Sequence, residues 1–600
     1  MLSETLPYEV PAIFSNDRFY YSLTGQISSS VPIEGLLEKL RGAPSFTKPY
    51  EYRIAKDPER FTTLGIIHPL NQIAVADFYE SFSRAILSAC SKSPFSLRRP
   101  SEIAKTFSPA TLVADASKHG IAHLEVDEGE TDVSHYVNYF IYQRYNLINR
   151  FFDSAEMIRL EKRFRRMRTL DISRCFQNIY THSETWAVRS KEFAKRHQKH
   201  FSFEGEFDRI MRQMNYNETA GIVIGPEVSR IFAETILQDV DRRVHQRLTG
   251  SGMIDNRNYA VRRYVDDYFV FAHNAEDIEA ITSTIADELE AVKLYLNDKK
   301  RADFESPFVT PISLARSEIS SEMAVFDTLL QELKGDCDTK QIVAFCRDAR
   351  AGLRTVRQIV TKYEIGFSAI SGWFLGRVKR LLRGLLESGA LSKHAPTPTD
   401  DVLRLLVTLV EVAFYVCALD TRVRATYNIC QITDLVLHLY RNDAEYLDVM
   451  HHAISDELLL LLRRRLASGL LAKPRCDDVE VYNLLICGAH YVGTAFLRSE
   501  AAQTILAALS ATDRPSYFGY ITAKFCLRKD EVLFASQLSS LNIAVAERLT
   551  SAGRDKIMLD AELYLLLCDY LSAPDLSVAE RREMFVSVFG GNPSNAEIEA

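Results

Sequence analysis

The 600-residue sequence predicts an α+β first half, an antiparallel sheet with helices, followed by an all-α second half. Three observations carry this expectation. Between Leu170 and Phe304 two short apolar segments, TLDISRCF and RRYVDDYFVFA, end or turn at acidic residues, and a long helical stretch lies between them. After about residue 320 strand signals nearly vanish. Apolar residues then recur at helical spacing, as in Val402–Leu419, Leu458–Leu471, Tyr482–Val492 and Met558–Leu571. Proline is rare inside these runs and falls between them, at Pro474, Pro515 and Pro574.

Taken in order, FTTLGII reads as a strand. Pro69 then opens an amphipathic helix with Ile73, Phe78, Phe82 and Ile86 on one face. PFSLRRP (94–100) reads as a loop and DEGETD (127–132) as an acidic surface turn. A helical region follows, with Tyr136, Tyr139, Phe140, Tyr142, Tyr145, Ile148, Phe151 and Phe152 as a core-packing aromatic stripe. HAPTPTD (394–400) resets the helical half, with Thr399 or Asp400 as N-cap. No sharp repeat is visible, and stacked helical pairs are the expected arrangement. The domain organisation is 1–310 for the mixed half and 311–600 for the helical half.

Composition sets broad limits. Hydrophobic residues make up 47% and charged residues 25%, the balance of a soluble globular chain. A net charge of -7 does not advertise nucleic-acid binding, although local clusters decide that question. The ten cysteines include no CxxC pair and read as buried, reduced thiols. MLSETLPYEVPAIF lacks the basic start and apolar run of a secretory signal. Val402–Leu419 carries Arg404 and Glu411 and reads as a buried helix. A cytoplasmic location without membrane attachment is the expectation.

Two acidic positions carry the chemistry. Tyr264-Val265-Asp266-Asp267 lies between apolar β-formers and reads as a hairpin exposing its acids at the tip. Asp171, 95 residues upstream, ends a short apolar strand. Carboxylates on neighbouring strands can bridge two divalent cations, the arrangement that phosphoryl transfer between nucleotides requires. Asp171 and Asp266 are the candidate pair. Asp267 assists electrostatically, and the backbone carbonyl of Ile172 is a further candidate ligand.

The order strand–Asp, Gly-Pro turn with helix, then YxDD hairpin resembles the motifs of reverse transcriptases. Asp171 falls in what resembles motif A, GIVIGPEVS (221–229) motif B, Tyr264–Asp267 motif C and LYLNDKK (294–300) motif D. DISRCFQNIYTHSETWAV (171–188) and GIVIGPEVSRIFAETILQDVD (221–241) are similar to signatures of the abortive-infection (Abi) and related bacterial defence reverse transcriptases, with Cys175 replacing an aromatic. Arg60, Ile67-His68-Pro69, Gln72 and FSLRRP (95–100) resemble that group's fingers motif.

The resemblance implies fingers and palm followed by a helical-repeat-like domain. It implies a DNA polymerase using two Mg²⁺ ions, with Mn²⁺ as an alternative, and acting on dNTPs in anti-phage defence. Phe176 is then a steric gate against the ribose 2′-OH. Gly225 and Pro226 let the backbone approach the nucleotide, and Lys300 meets its phosphates. Arg60 and Arg98 are fingers candidates for triphosphate or strand contact. Basic residues flank motif A: Arg159, Lys162, Arg163, Arg165, Arg166 and Arg168 before it, and Arg189, Lys191, Lys195, Arg196 and Lys199 after it. About half are expected to be a solvated helix face, with Arg163 and Arg166 as candidates for nucleic-acid contact. Ile224 stands where many templated enzymes have Gln, which suits the Abi-like members that extend DNA without a template and prime on a tyrosine. Tyr50 and Tyr52 are the candidate primers. DNA product is the expected partner, with RNA as a further candidate, and ring-forming relatives imply a homo-oligomer. The alternatives are an RNA-templated enzyme of retron or intron type, and a catalytically idle nucleic-acid-binding scaffold.

Overall fold

The computed structural model describes residues 9–14, 45–56, 60–104, 139–145, 147–189, 192, 202–324, 339–388, 399–467, 478–512 and 514–591. The architecture is α+β with antiparallel sheets, followed by a helical C-terminal region. Strand β1 (Tyr50–Ala55) pairs with β2 (Phe61–Ile66), and helix α1 (Pro69–Cys90) follows with proline in its first turn, where the missing N–H costs no helix bond. Phe78 and Ile86 are buried on its inner face, while Ile73 and Phe82 are half-buried.

Strand β3 (Arg98–Ile103) pairs antiparallel with β4 (Phe140–Arg144). Both are corrections to the sequence reading, which placed a loop at 94–100 and a helix from 136 onward. The i, i+3 spacing of Tyr139, Tyr142 and Tyr145 imitates a helix, but aromatic residues suit a paired strand equally well, and pairing decides. Pro100 fits because β3 is an edge strand whose register shifts between Pro100 and Glu102. Among the described residues of the expected helix, Ile148–Phe152 are helical and Phe140–Arg144 are a strand. Tyr136 and the acidic turn at 127–132 lie outside the described residues.

The central sheet has four antiparallel strands in the order β6 (Tyr259–Tyr264), β7 (Asp267–Ala272), β5 (Arg166–Asp171), β8 (Ala302–Glu305). Side chains alternate between faces, so one face delivers Leu170, Tyr268, Val270 and Val261 to a core shared with helices α2 (Glu227–Gly250) and α3 (Ala275–Glu290). The other face delivers Met167, Phe269, Phe271 and Ala260 to a smaller core with Phe151, Leu160 and Phe164. Asp171 and Asp267 share the parity of this second set, at the sheet end the hairpin caps.

The chain beyond residue 310 is helical throughout its described parts. Thr399 caps α4 (Asp400–Leu419), accepting from Val402 N. Pro474 and residues 394–398 lie outside the described residues. By length and composition α4 could cross a membrane, yet 61% of its apolar stretch is buried inside the protein. The expected helix at 482–492 becomes Val479–Cys487 plus a wider turn at Gly488–Val492. The one at 558–571 is split at Asp560, which caps Ala561–Leu571. The packing skips along the chain, with Thr339–Lys362 against Asp400–Leu419 and Ser371–Ser388 against Val423–Leu439. Cys90, Cys175, Cys417, Cys430, Cys487 and Cys526 are buried free thiols, and Cys568 is a half-buried one.

The core does not divide at 310/311. Val10, Ala12, Tyr50, Tyr52, Leu64 and Ile66 lie in one apolar cluster with the C-terminal helices. Polar bonds reinforce it: Ala12 N–H donates to Asn483 Oδ1 at 2.8 Å and Ala55 N–H to Glu480 Oε1 at 2.8 Å. Burial and the neighbouring charge of Asp478 push the Glu480 carboxyl up to about 8. The β1–β2 hairpin is thus mounted on the helical half.

Candidate active site

The β6–β7 hairpin turns through two residues, Val265 and Asp266, with Tyr264 paired to Asp267. Val265 adopts φ 55°, a left-handed conformation that a β-branched residue resists. Arg263 holds it there. Its guanidinium is fully buried and donates to Val265 O at 3.0 Å, to Glu234 Oε2 at 2.8 Å and to Asp241 Oδ2 at 2.6 Å. Tyr268 Oη and Ser93 Oγ also donate to Asp241, at 2.8 and 2.5 Å. Both acids belong to α2, so the helix after the Gly-Pro turn grips the acidic hairpin from beneath. Motif inspection missed this network. Its signal was a charged residue inside an apolar strand, which must be paired if buried.

Strand β5 places Asp171 directly across from Asp267, and Ile172 N–H donates to Asp266 O at 3.1 Å. On its other side Asp171 meets the segment before β8. Lys300 Nζ donates to Asp171 Oδ1 at 2.6 Å, and Asn297 Nδ2 donates to Oδ2 at 3.0 Å. Ile172 bridges to Leu296, while the ladder bonds are made by its neighbours: Ser173 N–H to Tyr295 O and Asn297 N–H to Asp171 O, both at 2.8 Å. Ile172 therefore turns its own peptide groups toward the hairpin.

The electrostatics are those of crowded anions. Burial pushes the Asp266 carboxyl up, and the charge of Asp171 adds to it, while Lys300 and Lys56 pull it down. Burial, then Asp266 and Asp171, push the Asp267 carboxyl up to about 7. The hydrogen bond to Asp171 pushes the Lys300 ammonium up. Buried carboxylates at one strand end want a hard cation, and oxygen donors are what Mg²⁺ takes. Among the described residues no three His, Cys, Asp or Glu side chains form a ready-made cage. Asp171, Asp266 and the Ile172 carbonyl would supply part of the shell, with nucleotide phosphates supplying more.

Residues 134–313 match the family described as reverse transcriptase (RNA-dependent DNA polymerase). A reverse-transcriptase domain is found. Such a domain implies nucleotidyl transfer, and polymerases of this kind use divalent metals such as Mg²⁺. No curated protein matches the chain. Among solved structures, Candida albicans telomerase, in complex with the TWJ fragment of telomeric RNA, is 9% identical with a TM-score of 0.26, covering 73% of this chain and 69% of its own. Apo telomerase from Candida tropicalis is 11% identical with a TM-score of 0.30, covering 76% and 72%.

Within the reverse-transcriptase domain, Phe176 is half-buried on the turn Cys175–Asn178, and its carbonyl accepts from Ile222 N at 2.9 Å, joining motifs A and B. Gly225 sits at φ 128°, and a Cβ there would meet Gly65 O at 3.2 Å. The close approach it permits here is to strand β2, where Gly65 N–H donates to Ile224 O at 2.7 Å. Pro226 precedes the first residue of α2. Arg60 is exposed beside the β1–β2 turn, as is Lys56, which the sequence reading did not single out. The charge of Lys56 favours the ionised form of the Asp266 carboxyl.

Other candidates are placed away from solvent or from the acids. Arg98 is paired with Glu227 at 2.8 Å and stacks over Tyr142 at 3.9 Å, its side chain only 13% exposed. With Arg230 it holds the Glu227 carboxyl down at about 2 against the cost of burial. It braces α2 and is not presented to a strand. Arg166 starts β5 while Asp171 ends it, which separates them by roughly 17 Å. Arg166 pairs with Glu305 at 2.6 Å, and Arg163 donates to Asn256 O. Arg168 is buried between Asp303 and Glu279. Lys191, Lys195, Arg196 and Lys199 lie outside the described residues. Tyr50 and Tyr52 are 3% and 2% exposed, with rings 5.1 and 4.8 Å from Phe518. Tyr50 Oη accepts from Phe518 N–H at 3.3 Å. Their role here is packing, because a priming hydroxyl must reach the carboxylates.

Proposed function

We propose that the chain is a Mg²⁺-dependent DNA polymerase of reverse-transcriptase type that extends DNA from dNTPs without a template, primes on one of its own tyrosines, and serves anti-phage defence in the cytoplasm. The observation that carries the polymerase reading is Asp171 paired across the sheet with Asp267, beside the Asp266 tip and under Lys300. The divalent cations, when bound, neutralise the triphosphate and lower the barrier to attack by a hydroxyl on the α-phosphate. The protein's share is placement: Asp171 and Asp266 would hold the cations, Lys300 would meet the phosphates, and Phe176 would act as the gate against a ribose 2′-OH. Such positioning and charge complementarity suffice for in-line transfer.

The untemplated, defence-related part rests on the Abi-like signatures and on Ile224, which is packed against the core at the position many templated enzymes give to Gln. With Tyr50 and Tyr52 buried, the primer is sought among the remaining tyrosines of the 27.

The test uses purified full-length chain, Mg²⁺ and each labelled dNTP, with no template or primer. A labelled product that collapses on proteolysis is the expected outcome, and peptide mass spectrometry then locates the nucleotidylated tyrosine. Incorporation only after an RNA template and primer are supplied would replace this reading with the templated one. No incorporation under either condition would leave the scaffold.

A further inference from the structure

Both carboxylate oxygens of Asp171 are engaged by one segment, residues 294–300, and by chemically different donors. Leu294 is 1% exposed and Leu296 is half-buried, which anchors the segment in the palm core. Asn297 is then fixed by its backbone bond to Asp171 O at 2.8 Å, and its amide reaches Oδ2 at 3.0 Å. A neutral amide orients a carboxylate without cancelling its charge. Lys300 instead places a full positive charge on Oδ1 at 2.6 Å, from a side chain that is 56% exposed. A compact ammonium on a flexible stem can leave easily, whereas Asn297 is tied at two points.

We infer that residues 297–300 form a two-part gate on cation entry. Asn297 is a positioning residue that fixes the Asp171 carboxylate with Oδ1 outward. Lys300 is an exchangeable cation that a divalent ion displaces from Oδ1. This rests on reading Asp171 as a metal ligand. The displaced ammonium is released toward solvent beside the carboxylates, where the phosphates of a nucleoside triphosphate would give it a new partner. Metal and nucleotide therefore enter cooperatively, each binding more tightly in the presence of the other.

The test is calorimetric titration of the full chain with Mn²⁺ and no nucleotide, a readout independent of activity. Lys300→Met is expected to bind Mn²⁺ about tenfold more tightly, the scale of one nearby charge under solvent screening. Lys299→Met, removing an exposed neighbouring charge, should change affinity less than about twofold, since solvent and salt screen a charge that makes no ion pair with Asp171. Asn297→Ala should weaken binding several-fold at an unchanged thermal midpoint. Unchanged or weaker binding by Lys300→Met, or equal tightening by Lys299→Met, would overturn the gate. Unaltered affinity in Asn297→Ala would overturn the positioning role. If the wild-type chain binds no Mn²⁺ and Asp171→Asn behaves identically, the metal reading of Asp171 falls and the gate falls with it. Wild-type binding that Asp171→Asn abolishes, with Lys300→Met unchanged, removes the gate alone.

Discussion

Asp171→Asn and Asp266→Asn are each expected to lower nucleotide incorporation by roughly 10³-fold or more, equivalent to losing about 4 kcal/mol of transition-state stabilisation. Neither change should unfold the chain, because neither carboxylate is bonded into the core: Asp171 meets Asn297 and the exposed Lys300, and Asp266 forms the hairpin tip. Circular dichroism beside a gel incorporation assay separates the two effects, and full retained activity in either variant would sink the assignment.

The same crowding should appear in stability. The Asp267 carboxyl sits at about 7 in the fold against an ordinary value near 4. Between those pH values the folded chain keeps a proton that the unfolded chain has released. Stability therefore falls as pH rises across that window, by ~1.4 kcal/mol per pH unit for this group, and levels off above about 7. Asp267→Asn lacks that slope. Its thermal midpoint should exceed the wild type's at pH 8 and converge with it near pH 4, and added Mg²⁺ should narrow the gap. Parallel curves at all pH values would contradict the electrostatic picture.

Arg263→Met is expected to cost about 3–5 kcal/mol, the range for breaking a buried ion pair and leaving its partners charged. Arg263 and Asp241 are both fully buried and Glu234 nearly so. The change also removes the bond to Val265 O that holds the hairpin turn at φ 55°, so activity should fall even where the variant remains folded. Urea denaturation measures the first effect and incorporation the second. Adding Glu234→Gln and Asp241→Asn should restore part of the stability by removing the orphaned charges, yet restore no activity. A loss below about 1 kcal/mol for the single variant would show that water reaches the network.

The acidic hairpin was legible because its signal is local. Two acids between apolar β-formers can only turn outward or bind a cation, and period-2 alternation then fixes which residues share their face. The two-half architecture was legible for a related reason, since helical periodicity persists over hundreds of residues. What escaped was decided by distant partners. Nothing around Tyr139–Tyr145 announces that Arg98–Ile103 will pair with it. Arg98 looked like a strand contact until Glu227, 129 residues away, neutralised it. Tyr50 and Tyr52 looked available until Phe518 covered them. Asn297 was in view within LYLNDKK, but its bond to Asp171 needs the sheet order to place it. Charge clusters were the weakest guide, because a basic run does not reveal which acids lie opposite.

The mounting of the first hairpin on the last helices has a consequence for synthesis. Tyr50 leaves the ribosome 468 residues before Phe518, whose amide it receives. At ~5–20 residues per second that interval is roughly 25–90 s. Throughout it the carboxylates can assemble on their sheet, but the hairpin carrying Lys56 and Arg60 has no seat. A nascent chain that has not yet reached Phe518 therefore holds its acids on the sheet without the hairpin that carries Lys56 and Arg60, and that hairpin is seated only once the C-terminal helices have been made.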